Sequence, residues 1–178
     1  MKIDYSEVRR LLRQGVAGAL GTHSASFEGY PFTSSLPYVL DGGCRPLFLL
    51  SGLAEHTRNL LADPRASLLV FEGEGGRLDQ GRVTLLGRVL PETLDNDLQA
   101  RYLRYQPRAA DYLTLGDFRF FRMEPARARF IGGFGRMGWV DACPLPAELD
   151  SRTEARLLDA LGTLVPSGVS VLGLERAR

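Results

Sequence analysis

The chain has 178 residues, with 22 Lys and Arg against 21 Asp and Glu for a formal charge of +1. At roughly 150 residues per domain this is one domain's worth of chain, long enough for a sizeable core. Apolar residues at 44% and charged residues at 24% exclude a largely disordered polymer, and the balanced charge offers no bulk attraction to nucleic acid or an anionic membrane. No window approaches about 18 uninterrupted apolar residues. The first residues, Met1 to Glu7, lack the apolar stretch of a secretory signal. The expectation is a cytoplasmic protein with neither nucleic-acid nor membrane partners.

Cys44 and Cys143 are the two cysteines and neither sits in a Cys-x-x-Cys or Cys/His cluster, so two reduced thiols and no metal site are expected. Residues 4–14 place Val8, Leu11 and Leu12 at helical spacing behind Ser6 as a cap, which predicts a short leading helix. From Gly15 the texture changes to β-branched and aromatic residues broken by the Phe27-Glu28-Gly29 turn, which predicts a hairpin. Pro31 and Pro37 have no N–H for a ladder, so the second strand of that hairpin belongs at a sheet edge. After the Asp41-Gly42-Gly43 turn, PLFLLS (46–51) is almost wholly apolar and is expected to be buried on both faces. Helical periodicity through Leu53, Thr57, Leu60 and Leu61 follows, stopped by Pro64. ASLLVFEG (66–73) and RVTLLGRVLPE (82–92) read as strands around a glycine-rich loop, 94–115 as two short helices, and 117–134 as a strand pair or one bent strand. The tail from 144 carries an amphipathic stretch, TEARLLDALGTL. This order is not the regular alternation of a doubly wound sheet. It predicts a mainly β (α+β) domain over 1–143, an antiparallel barrel with short flanking helices, and a helical extension over 144–178 packed on it.

No nucleophile elbow, zinc-protease motif or phosphate loop is present, and no catalytic residue is assigned. Three features stand out. The strand-to-helix junction from Ser51 to Asn59 offers helix N–H groups with His56, Thr57 and Arg58 in the first turn, an arrangement that favours a phosphate but also describes an ordinary capped helix. Thr33, Ser34 and Ser35 set three hydroxyls in a row between two prolines. The stretch Gly132 to Trp139 leaves backbone open beside Phe134 and Trp139, where a flat ligand or a tight turn would fit equally.

The blocks GYPFTSSLPYVLD, PLFLLSGLAEHTRNLLADPRASLLVFEG, GRVTLLGRV and ARFIGGFGRMGWV, in that order, resemble the pyridoxamine 5'-phosphate oxidase-like FMN-binding split-barrel family. The nearest branch is the one associated with haem utilisation. The resemblance implies an antiparallel split β-barrel, a homodimer with cofactor sites at the subunit interface, and an FMN-dependent oxidoreductase passing electrons between flavin and a small substrate or oxygen. It further implies that Ser34, Ser35, Leu36, Pro37 and Tyr38 line the flavin ring and ribityl chain. Ser51, His56, Thr57 and Arg58 would hold the phosphate, Arg82 would reach the flavin from the partner subunit, and Trp139 would close the site. Where the oxidases carry an Arg-Lys pair for the phosphate, this chain has Glu55 and His56, which sets it apart from them. The alternative is a haem-binding or haem-degrading protein. Of its two histidines, His23 stands early in a strand near a turn and His56 in a helical turn, and neither placement suits an iron ligand.

Overall fold

A computed structural model describes residues 3, 5–73, 79–133 and 135–141. The leading helix, α1 (Tyr5–Gln14), buries Val8, Leu11 and Leu12, the three residues whose spacing predicted it. The hairpin is β1 (Ala17–His23) with β2 (Pro31–Pro37). A two-residue β3 (Val39–Leu40) and β4 (Pro46–Ser51) follow, then α2 (Glu55–Ala62), β5 (Arg65–Phe71) and β6 (Gly81–Pro91). Two short helices, α3 (Asn96–Tyr105) and α4 (Ala109–Leu113), precede the 15-residue β7 (Phe118–Gly132) and a final β8 (Met137–Asp141). Of the stretch 117–134, Phe118–Gly132 is therefore one long strand, and Gly133 and Gly135, both at positive φ, lie between it and β8, a strand the sequence pattern does not announce. The extension predicted over 144–178 lies outside the described residues.

All pairings are antiparallel, in the order β2-β1-β5-β6-β7-β4-β3, with β8 added to β7. β2 is an edge strand, as its two prolines require. Laid flat, the seven-strand path would be about 29 Å wide at about 4.8 Å per spacing. Yet Tyr38 alone separates the two edge strands, β2 ending at Pro37 and β3 starting at Val39. The sheet must curl until its edges meet, and Tyr38 is the seam. Its side chain is buried and its hydroxyl donates to the Leu12 carbonyl at 2.6 Å. Burial also pushes this phenol well above its ordinary pKa.

Two cores lie on opposite sides of β4. Phe48 and Leu50 pack inside the barrel with Leu20, Leu68, Val83, Phe121 and Met123. Leu47 and Leu49 face a smaller cluster built on Tyr102 and Phe120. This is the two-sided burial expected of PLFLLS. Tyr102 meets Phe120 edge-on at 5.1 Å, and its hydroxyl accepts from the Leu49 N–H at 3.1 Å; burial pushes the phenol up to about 12. The β6–β7 ladder slips at Leu86/Gly87, skipping Ala126. A Cβ on Gly87 would lie 2.2 Å from the Glu124 carbonyl oxygen, so the bulge demands glycine there.

Candidate functional site

Antiparallel partners share a face, and this divides the row of three hydroxyls. Ser34 pairs with the buried Leu20 and faces inward with it, whereas Thr33 and Ser35 pair with Gly21 and Ala19 and face outward. Leu36 also faces inward, Pro37 is exposed at the strand end, and Tyr38 is in the core. The five residues from Ser34 to Tyr38 therefore do not present one continuous lining.

Ser34 meets α2. Its Oγ lies 3.2 Å from Nδ1 of His56, a half-buried imidazole whose pKa burial lowers. The neutral ring is favoured at this position. Behind it, Asn59 is fully buried and binds in two directions. Its Nδ2 donates to Thr22 Oγ1 at 3.0 Å, and its Oδ1 accepts from the Ala25 N–H at 2.8 Å. Asn59 thus fixes α2 to β1 and to the loop leading into β2, and so sets His56 opposite Ser34. The sequence marks Asn59 only as the end of the Ser51–Asn59 junction and gives it no role, because a polar residue in a short helix reads as a surface position. Its one signal was its place beside Leu60 and three residues after His56.

The first turn of α2 was expected to hold a phosphate. Thr57 is 2% exposed and its Oγ1 has no hydrogen-bond partner among the described residues, and Ala54 caps the helix without a side-chain bond. These are features of a polar cradle. The charges are nonetheless already matched. Arg58, exposed, is paired with Glu55, whose carboxyl is held below its usual range by the Ser26 hydroxyl and by Arg58. Ser51 donates to Asp117 and accepts from the Leu53 N–H at 3.1 Å. A dianionic phosphate would have to compete with Glu55 for Arg58 and with Asp117 for Ser51. The Glu55-His56 departure read from the sequence thus makes this turn close to neutral.

Arg82 and Trp139 lie elsewhere, on the outward face of β6 and β8. The pairings Arg82 with Ile131, Thr84 with Arg129, Leu86 with Arg127, and Arg129 with Trp139 place all these side chains on one side. The guanidinium carbons of Arg127 and Arg129 stand 5.2 and 5.7 Å from the Trp139 ring centroid. Arg127 also pairs with Asp141 at 3.2 Å. The structure therefore forms two separate groupings: Ser34, His56 and Thr57 inside, and Arg82 with Trp139 outside.

A curled, mainly antiparallel sheet with short helices is a split-barrel fold, the fold of pyridoxamine phosphate oxidase-like proteins. The chain matches the family described as CREG, beta-barrel over residues 5–147, and belongs to it. Among relatives, it is 36% identical over 129 residues to the chloroplastic non-canonical heme oxygenase HOZ of Arabidopsis thaliana, a match covering 71% of this chain. The chain spans 40% of that relative's length. Among solved structures, a heme binding protein from Mycobacterium smegmatis is 31% identical with a TM-score of 0.69, covering 80% of this chain and 60% of that one. A protein of unknown function, Atu2129 of Agrobacterium tumefaciens, is 27% identical with a TM-score of 0.71, covering 90% and 71%. Among the described residues no helix is long and apolar enough to cross a membrane.

Proposed function

We propose that this protein binds haem. The observation that carries the reading is that two relatives more than 30% identical to it, one plant and one mycobacterial, are named for haem. The haem alternative therefore takes precedence over the flavin oxidoreductase that the sequence resemblance put first. The neutral first turn of α2 supports the same preference, since FMN differs from other flat ligands in bringing a phosphate. Haem when bound would supply the iron and its oxygen chemistry, while the protein would orient the macrocycle and control its surroundings. His23 is exposed at the end of β1 and His56 is turned by Nδ1 toward Ser34, so binding without a histidine ligand to iron is the expectation. FMN remains the second reading, favoured by the unpartnered Thr57 hydroxyl at the start of α2. A homodimer, implied by the family resemblance, is part of the proposal and is checked by sedimentation.

The test is titration of the purified protein with haem and with FMN, followed at roughly 400 nm for the haem Soret band and roughly 450 nm for flavin. Stoichiometric haem binding that survives in His23→Ala and His56→Ala is expected. Stoichiometric FMN binding with no haem binding would overturn the reading in favour of the flavin one. Loss of the Soret band on adding ascorbate in air would extend the reading from haem binding to haem degradation.

A further inference from the structure

Among the described residues β2 pairs with β1 alone and β3 with β4 alone, so no ladder of strand hydrogen bonds closes the barrel at the Tyr38 seam. What spans the seam is the last turn of α1. On one bank the Tyr38 hydroxyl donates to the Leu12 carbonyl at 2.6 Å, and on the other Arg13 donates to Sγ of Cys44 at 3.4 Å, in the turn between β3 and β4. The helix end sits directly on the phenol: a Cβ on Gly15 would lie 2.5 Å from the Tyr38 hydroxyl oxygen and 2.6 Å from Cγ1 of Val70. Val8, Leu11 and Leu12 join the same core cluster as Tyr38, Leu40 and Cys44.

α1 has only ten residues, fewer than the roughly 12 to 15 that an isolated helix needs to persist in water, so its helicity depends on this docking. Its further fastenings include the pairs of Arg10 with Glu72 and Glu7 with Arg136, whose side chains are 28 to 53% exposed, a class of ion pair that contributes little. β1, by contrast, is held by ladders on both sides. The Cys44 bank is also held without α1, since Arg101 donates to the Leu40 carbonyl and Arg45 to Asp41, each at 2.8 Å. An element secured by one apolar stripe and two bonds at its end opens at a lower free energy than the sheet beneath it. We propose that α1 is a strap across the seam that lifts as a unit while the barrel stays folded, uncovering Tyr38, Cys44 and one end of the barrel core. Because Tyr38 directly follows β2, the closed strap also fixes the end of the strand that carries Ser34.

The Cys44 thiol reports the opening, being 3% exposed and closed to reagent while α1 is docked. Cys143→Ser leaves it as the single cysteine of the full chain, and its labelling by an aromatic disulfide is followed against urea. At low urea, labelling is expected to be much faster than global unfolding allows and only weakly dependent on urea, since lifting one helix exposes little surface. Tyr38→Phe should raise that rate about tenfold, the effect of one lost buried hydrogen bond. Tyr102→Phe removes a buried hydroxyl that serves the Leu49 N–H away from the seam; it should lower the urea midpoint and leave the low-urea rate unchanged. Hydrogen exchange on the unsubstituted protein makes the same test without a variant: the N–H groups of α1 should exchange together, about a hundredfold or more ahead of the β6–β7 ladder. Cys44 labelling that tracks global unfolding, responding alike to Tyr38→Phe and Tyr102→Phe, would overturn the proposal. So would α1 N–H groups that exchange no faster than the ladder, a result that decides the matter whether or not Tyr38→Phe folds.

Discussion

Asn59 is the buried polar residue on which the inward grouping depends, and its removal should be costly. Replacing it by Ala takes away the acceptor of the Ala25 N–H and the donor to Thr22 Oγ1. Thr22 keeps the Phe32 carbonyl as a partner at 3.3 Å, so its hydroxyl is not orphaned. The Ala25 N–H has no such substitute among the bonds seen. One lost bond at about 1 kcal/mol and one amide left unsatisfied at about 1 to 3 kcal/mol give a destabilisation of about 2 to 4 kcal/mol. Asn59→Asp is a sharper probe. It retains an acceptor for Ala25 but buries a carboxylate beside a hydroxyl that must reverse its bond, so its cost should be larger near neutral pH and shrink as acid restores the neutral form. Urea unfolding measures both, and the thermal midpoint should move by about 2 to 4 °C per kcal/mol for a domain of this size. A loss in Asn59→Ala below about 0.5 kcal/mol, the range of ordinary surface substitutions, would refute the claim that this side chain fastens α2 to the barrel.

Gly87→Ala should destabilise by about 3 kcal/mol or more, because its Cβ would collide with backbone rather than a movable side chain; urea unfolding checks this, and a neutral effect would remove the bulge constraint. Burial lowers the pKa of His56 below its ordinary value of 6.5. Its stabilising contribution is then present above that value and is lost as pH falls through it toward the folded-state pKa, so His56→Gln should flatten the acid side of the stability curve. Glu55→Gln releases Arg58 from its pair, and a competition titration should show the preference for FMN over riboflavin rising in the variant. An unchanged preference would mean that Glu55 does not set the charge of that turn.

Much of this architecture is written in local patterns. Pro31 and Pro37 announce an edge strand because a missing N–H is an absolute constraint on pairing, and the unbroken apolar run of 46–51 announces burial on both sides. Pro64 likewise marks where α2 gives way to β5. What the sequence withheld depends on register. Alternation puts Arg127 and Arg129 on one side of a strand, but nothing local says that Trp139 will be the partner of Arg129, since that pairing needs the turn after Gly132 and the ladder of β8. The row Thr33-Ser34-Ser35 looks like a single polar surface until the pleat sends its members to opposite faces. The family resemblance implies Tyr38 as a lining residue, whereas in the fold it stands buried between the two edge strands and closes the barrel. The pairing of Arg58 with Glu55 was available from their three-residue spacing in a helix. Its effect on a phosphate site was not, because that required knowing that Ser51 is turned toward Asp117.

The relation between the two groupings explains how one scaffold can serve different ligands. A split barrel fixes where the α2 turn and the β6–β8 face lie, since both follow from strand order and register. It does not fix their charge, which is decided by a few side chains. The first turn of α2 carries Glu55, a half-buried His56 and one arginine, and that arginine is satisfied within the helix. A phosphate would then gain little beyond helix N–H groups and the Thr57 hydroxyl, and would bring two charges beside the Glu55 carboxylate. On the outward face the balance runs the other way, with Arg82 and Arg129 unmatched by acids among the described residues and apolar side chains beside them. The side of the barrel that offers positive charge and flat apolar surface together is therefore not the side that faces Ser34 and His56. The barrel keeps its shape, and the charge of a few side chains determines which of its surfaces can hold a cofactor.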